Sequence, residues 1–448
     1  MINRRIGAAA FALLLGGCSL GIHLDRALPL GRTPKPQLAF VVGDEPYAVR
    51  AAAALMKQGG NAVDTAAATY FALAVTYPVS AGLGGGGICL VHDPKNGQNE
   101  EFDFLARSAA SNGPFAVPGS VRGLAMMQTR YGALPWQRVI APAEGFATTG
   151  FKISKALAER LAAASDVIRL DAPLAAEFLD ESGKVRESGS TVSNPDLGAT
   201  LAAIRVQGSG AFYDGPIAQR IADYTASQSG AIAPGELSAY QAQNSEPLVV
   251  PMGDTRVVLP GAKTGAGVFA GKLLEEILRA EPGAANTEGA VVEGTKRALK
   301  SFSVSDLPRD LGATGFAATD NSGLAVACAV TMNGPFGSGH TVPGTGVTLA
   351  RAPSSSTSGL AAAFLTPVLA IDGNGTLSLA GAGAGGPVGT ASIADALARL
   401  SKGEIVTQRG RNEADNVELY DTVNAILCQS GVCTALPDAS ASGMGTAP

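Results

Sequence analysis

The sequence predicts an α+β fold in which layered sheets are covered by helices. Strand-like segments cluster near both ends of the chain, and helical periodicity fills the middle. The 448 residues are 46% apolar and 16% charged, which supplies ample hydrocarbon for a substantial core. In order, residues 47–58 have helical spacing and stop at Gly59-Gly60, and a second apolar helix over 65–75 is stopped by Pro78. A glycine run then leads into a strand over 88–92, a turn at 93–97 and a returning strand over 100–104. Helices are predicted over 119–131, 136–149, 154–164, 195–207 and 216–227. Strands dominate again at 256–259, 315–319, 325–331, 364–371 and 376–379, before a helix over 388–400. No internal repeat is present.

Composition excludes several classes. High apolar content argues against disorder, and 57 glycines without a three-residue period argue against collagen. A net charge of -5 with no basic run argues against nucleic acid as a partner. Arg4-Arg5, an apolar run over 6–15 and Leu15-Gly16-Gly17-Cys18 together describe an export signal. The run is shorter than the roughly 20 apolar residues of a spanning helix. Leu15 to Cys18 resembles a bacterial lipobox, so residues 1–17 read as signal peptide, Cys18 as the lipidated residue and 18–36 as a tether. The expected location is the cell envelope, facing the periplasm, with the lipid anchor as the membrane contact. Ser19 favours the outer membrane. Of the other cysteines, Cys89 and Cys328 read as buried hydrophobes, and Cys428 and Cys433 flank a turn and can pair. The three histidines share no ligand-like spacing with a cysteine, so neither a metal nor a cofactor is expected. His92 reads as an exposed strand end and His340 as a polar loop residue. Glycines 84–87 lack the Lys-Ser/Thr of a phosphate loop and enter a strand, so they read as a tight turn. No Gly-x-Ser-x-Gly elbow occurs.

Several collinear motifs resemble the γ-glutamyltranspeptidase family. They are Gly59-Gly60-Asn61-Ala62-Val63-Asp64, Ser80 to Gly87, Ala116 to Leu124, Tyr131 to Trp136, Ala211 to Ala218, Glu246-Pro247-Leu248 and Thr331 to Gly339. The resemblance implies a four-layer αββα N-terminal-nucleophile hydrolase fold, with two stacked antiparallel sheets flanked by helices. Residues 37–312 would correspond to the large subunit and 313–448 to the small subunit of one domain. In that family the precursor cuts itself before a threonine, whose hydroxyl then attacks a γ-glutamyl amide, its own amine serving as base. Paired glycine N–H groups stabilise the oxyanion, here Gly385 and Gly386. Thr331 and Asn333 are the remaining catalytic positions, and the ligand class is a small amide or peptide.

The same resemblance exposes departures. Anchored on Asp320, the nucleophile position falls at Ala313, with Thr314 one residue later. A methyl group cannot attack a carbonyl, and in a strand the neighbour faces the other way. The carboxylate-gripping arginine becomes Leu105, with Arg107 two residues on and on the same strand face as a partial replacement for the charge. The amine-holding aspartate falls near Ser355, Asp320 stands as a candidate substrate-binding residue, and the paired serines fall near Ala363-Phe364. The expectation is an unprocessed exported lipoprotein without standard γ-glutamyl chemistry. The alternative is an active amidohydrolase or acyltransferase using Thr314 on a γ-glutamyl or other acyl group.

Overall fold

A computed structural model describes residues 37–261, 265–279, 295–297, 299–300, 310–353, 359–401, 422–429 and 431–448. Cys18, the signal and tether, and Ser355 lie outside the described residues. Two antiparallel sheets stack face to face. We number their strands β1 Phe40–Gly43, β2 Gly86–Asp93, β3 Gln98–Asp103, β4 Gln243–Ser245, β5 Leu248–Met252, β6 Thr255–Leu259 and β7 Ala313–Thr319. The rest are β8 Ala325–Thr331, β9 Thr366–Ile371, β10 Leu377–Ala384, β11 Thr422–Gln429, β12 Val432–Leu436 and β13 Met444–Thr446. The first sheet runs β13-β1-β7-β8-β2-β3-β4 and the second β12-β11-β10-β9-β6-β5. Helices α1 (Pro46–Lys57) and α2 (Ala62–Thr76) pack on the outer face of the first sheet. The helices Ala266–Arg279 and Pro387–Ser401 cover the second. Both faces of the central strands are therefore dry, and every residue of β7 and β8 is buried. That is why these strands read as continuous apolar runs without polar alternation.

The helix starts are set by caps. The Glu45 carboxylate accepts the Ala48 N–H at 2.9 Å, with Pro46 in the first turn of α1. At α2, Asn61 accepts the Val63 and Asp64 N–H groups while Asp64 accepts that of Asn61, a reciprocal capping box. Every residue of α2 is buried, between the first sheet and the middle helices, which explains its lack of a polar face. The glycine run does hold a turn, the Gly85 N–H donating to the Gly82 carbonyl at 2.9 Å, and crowding is what requires glycine there. A Cβ on Gly84 would lie 2.1 Å from the Thr348 carbonyl oxygen, and one on Gly86 would lie 2.3 Å from the Ala106 nitrogen.

Three readings are corrected. Cys89 and Cys328 are not free hydrophobes: they face each other in register across β2 and β8 and form a disulfide. The pairing depends on a contact 239 residues apart, which spacing cannot reveal. Cys428 and Cys433 are likewise opposite each other in β11 and β12 and bridged. His92 is fully buried, its Nδ1 2.9 Å from Asn99 Oδ1, and desolvation lowers its pKa. The second sheet covers this strand end, so it is not exposed. Arg107 does not continue β3. The chain leaves the strand after Asp103, and Arg107 opens a separate two-residue strand, Arg107–Ser108, paired with Ala116–Val117.

Candidate active site

The geometry around residue 313 follows from strand alternation. β7 begins at Ala313, paired with Thr331 of β8. The Ala313 methyl faces the second sheet and joins an apolar cluster with Ile88, Leu105, Ala266, Leu365 and Ala384. Leu105 is 7% exposed and forms part of the same hydrocarbon lining. Phe364 packs edge-on against Phe269 with centroids 4.9 Å apart.

Thr314 turns to the opposite face. Its hydroxyl is fully buried and donates to Asp44 Oδ2 at 2.6 Å. Asn424 donates from Nδ2 to the other Asp44 oxygen at 2.6 Å and to the Gly315 carbonyl at 2.9 Å. Asn424 Oδ1 accepts the Asp438 N–H at 3.0 Å. Burial pushes the Asp44 carboxyl up to about 6, the Asp438 charge pushes in the same direction, and the Thr314 and Asn424 bonds pull back. This network ties three chain regions together and contains no opening to solvent at Thr314.

Thr331 and Asn333 meet at the start of β7. The Thr331 hydroxyl lies 3.1 Å from both the Leu311 and Gly312 carbonyl oxygens and accepts the Asn333 N–H at 2.8 Å. Asn333 adopts φ 59° and donates from Nδ2 to the Arg351 carbonyl at 2.9 Å. Gly385, with φ 95°, and Gly386 follow β10 directly after Ala384, which touches the Ala313 cluster. The structure thus brings Thr331, Asn333 and the glycine pair to one end of the sandwich.

It does not bring Asp320 there, and it pairs Arg107 with a neighbouring carboxylate. The Arg107 guanidinium is committed to Asp103, with Nη2 2.5 Å from Oδ2. Asp103 also accepts the Leu105 N–H at 2.9 Å. Asp320 follows the far end of β7, seven residues on from Ala313. One of its oxygens accepts the Ala62 N–H at 3.1 Å, and the other accepts Ser322 N at 2.7 Å and Ser322 Oγ at 2.5 Å. It caps α2 and closes a turn, which corrects its reading as a substrate contact. Sequence reasoning missed Asp44, Asn424, Arg160 and Asp310. No local signal marks them, because each acquires its role from partners far along the chain. Among the described residues no cluster of His, Cys, Asp and Glu is arranged to hold a metal ion.

The family model described as Gamma-glutamyltranspeptidase matches residues 48–299. Among curated relatives, the glutathione hydrolase proenzyme of Escherichia coli (strain K12) is 31% identical over 279 residues, covering 55% of this chain and 47% of that protein. Glutathione hydrolase 3 of Arabidopsis thaliana is 29% identical over 245 residues, covering 50% and 38%. The chain spans about half the length, or less, of the curated relatives it matches. Cephalosporin acylase from Bacillus halodurans superposes with a TM-score of 0.75 at 18% identity, covering 92% of this chain and 96% of that one, a likeness of fold. Helicobacter pylori γ-glutamyltranspeptidase superposes with a TM-score of 0.53 at 25% identity, covering 58% and 81%. With the family model spanning more than half its length and two facing sheets between helical layers, the chain is a divergent member of the γ-glutamyltranspeptidase family with the N-terminal-nucleophile hydrolase fold.

Proposed function

We propose that this protein is an exported, lipid-anchored member of its family that stays uncut and does not perform γ-glutamyl transfer or hydrolysis. One observation carries the reading: the residue at the nucleophile position is a methyl group packed among Leu105, Leu365, Ala384 and Ile88. A zwitterionic γ-glutamyl group placed there would lose its hydration without gaining charged partners, which is costly. Thr314 is a poor substitute, because its hydroxyl points to Asp44 on the far face of the strand. Two disulfides support an oxidising compartment and hence export. A non-catalytic role in the envelope, binding a small amide or peptide, is the reading these features favour.

The test is a reducing denaturing gel of purified protein alongside release from a chromogenic γ-glutamyl anilide. A single full-length band and no release are expected. Two fragments meeting near residue 313 would refute the uncut reading and favour Thr314 as nucleophile. The Ala313→Thr variant should still fail to turn over the anilide, since Leu105 supplies no charge; robust turnover by it would show that hydrocarbon lining does not bar the substrate.

A further inference from the structure

The chain just before residue 313 is held by more than a strand start requires. Arg160, on the helix Lys155–Ala163, is 3% exposed and grips Asp310 through Nη2, 2.6 and 2.8 Å from the two carboxylate oxygens, and Nε, 3.2 Å from Oδ2. A guanidinium this deep is tolerated when fully paired, and the Tyr77 hydroxyl at 3.4 Å adds a further polar contact. The same Asp310 carboxylate accepts the Gly312 N–H at 2.7 Å. Leu311 is buried among Phe269, Leu273 and Phe364. Gly312 takes φ 57°, and a Cβ there would lie 1.9 Å from the Gly334 carbonyl oxygen.

The result of this bracing is the aim of one carbonyl. The Gly312 oxygen accepts the Met332 N–H at 2.8 Å and lies 3.1 Å from the Thr331 hydroxyl. The Met332 bond extends the β7–β8 ladder, but the hydroxyl is no part of any ladder. The Thr331 hydroxyl has one proton, shared with the Leu311 carbonyl at the same 3.1 Å; turned to Gly312, it joins the Met332 N–H as the second donor that a developing oxyanion needs.

We propose that Arg160 is a positioning residue for the 312–313 peptide bond: through Asp310 it holds the Gly312 carbonyl against the Met332 N–H and Thr331 hydroxyl. The inference rests on Ala313 standing at the nucleophile position, and it holds that the site lacks a hydroxyl there and nothing else needed for self-cleavage. Supplying one by Ala313→Thr allows a balanced step. The new Oγ bonds to the Gly312 carbonyl carbon, the C–N bond breaks, and the hydroxyl proton ends on the freed α-nitrogen. Water then hydrolyses the ester, leaving a Gly312 carboxylate and restoring the hydroxyl.

The experiment follows purified full-length chains over time on reducing denaturing gels, with folding checked by circular dichroism and the cut located by mass. Wild type is expected to stay whole, and Ala313→Thr to separate into two pieces meeting at 312/313. Adding Arg160→Met should slow the cut at least tenfold, adding Arg160→Lys should recover part of that loss, and adding Thr331→Val should also slow it at least tenfold. Should the Met variant not fold, the Lys variant still reports, because loss of the two-pronged contact alone should slow cleavage. An uncut, folded Ala313→Thr chain, or Arg160 variants cutting as fast as their parent, would overturn the assignment. Cleavage of wild type would instead strike at the reading of residue 313, so the two failures are distinct.

Discussion

Ala313 and Thr314 are adjacent residues in opposite environments, hydrocarbon on one side and a buried carboxylate on the other. The apolar setting of the first was not legible, because Ile88, Leu105, Leu365 and Ala384 reach it from separate parts of the chain. The second was legible as an orientation and not as a network, because Asp44, Thr314, Asn424 and Asp438 meet when β1, β7 and β11 converge. That network makes a pH prediction. The Asp44 carboxyl sits at about 6 in the folded protein against an ordinary value of 3.8. The folded state binds this proton more tightly, so the stabilisation is complete below about pH 4 and is lost as pH rises through about 6. A displacement of this size corresponds to about 3 kcal/mol. Denaturant unfolding of wild type should therefore show stability falling between pH 4 and 7, and Asp44→Asn should flatten that window. Identical slopes for the two proteins would exclude Asp44 as the source.

At the level of elements, the Gly-Gly-Asn-Ala-Val-Asp segment is a fastening point. Asp64 Oδ2 accepts N–H groups from Asn61, Ala133 and Leu134, and Oδ1 accepts the Gln128 amide at 3.1 Å. Asp64→Ala leaves these donors without an acceptor and should cost at least about 3 kcal/mol, read as a lowered unfolding midpoint. A loss below 1 kcal/mol would mean water replaces the carboxylate. Helix ends were legible because caps and stops are local. Strand ends were less so: β10 extends to Ala384, where the sequence reading stopped at 379. Its Ala-Gly tail looks like loop, yet small residues are what let the two sheets approach, with a Cβ on Gly315 falling 2.8 Å from that of Ala382. The strands β1, β4, β5 and β13 were missed: each is five residues or shorter, and all but β1 lie at sheet edges.

For the whole molecule, layering was legible from the order of strands and helices, while the contacts across the sandwich were not. The family's reaction ends in two subunits, and the present fold carries a bond that bears on that outcome. Cys89 precedes residue 313 and Cys328 follows it, and their sulfurs are joined across β2 and β8. Main-chain scission at 312/313 would therefore turn a linear polymer into a branched one without releasing either arm. Renaturation of such a nicked species would remain unimolecular and independent of dilution, whereas two separate subunits would have to find each other again.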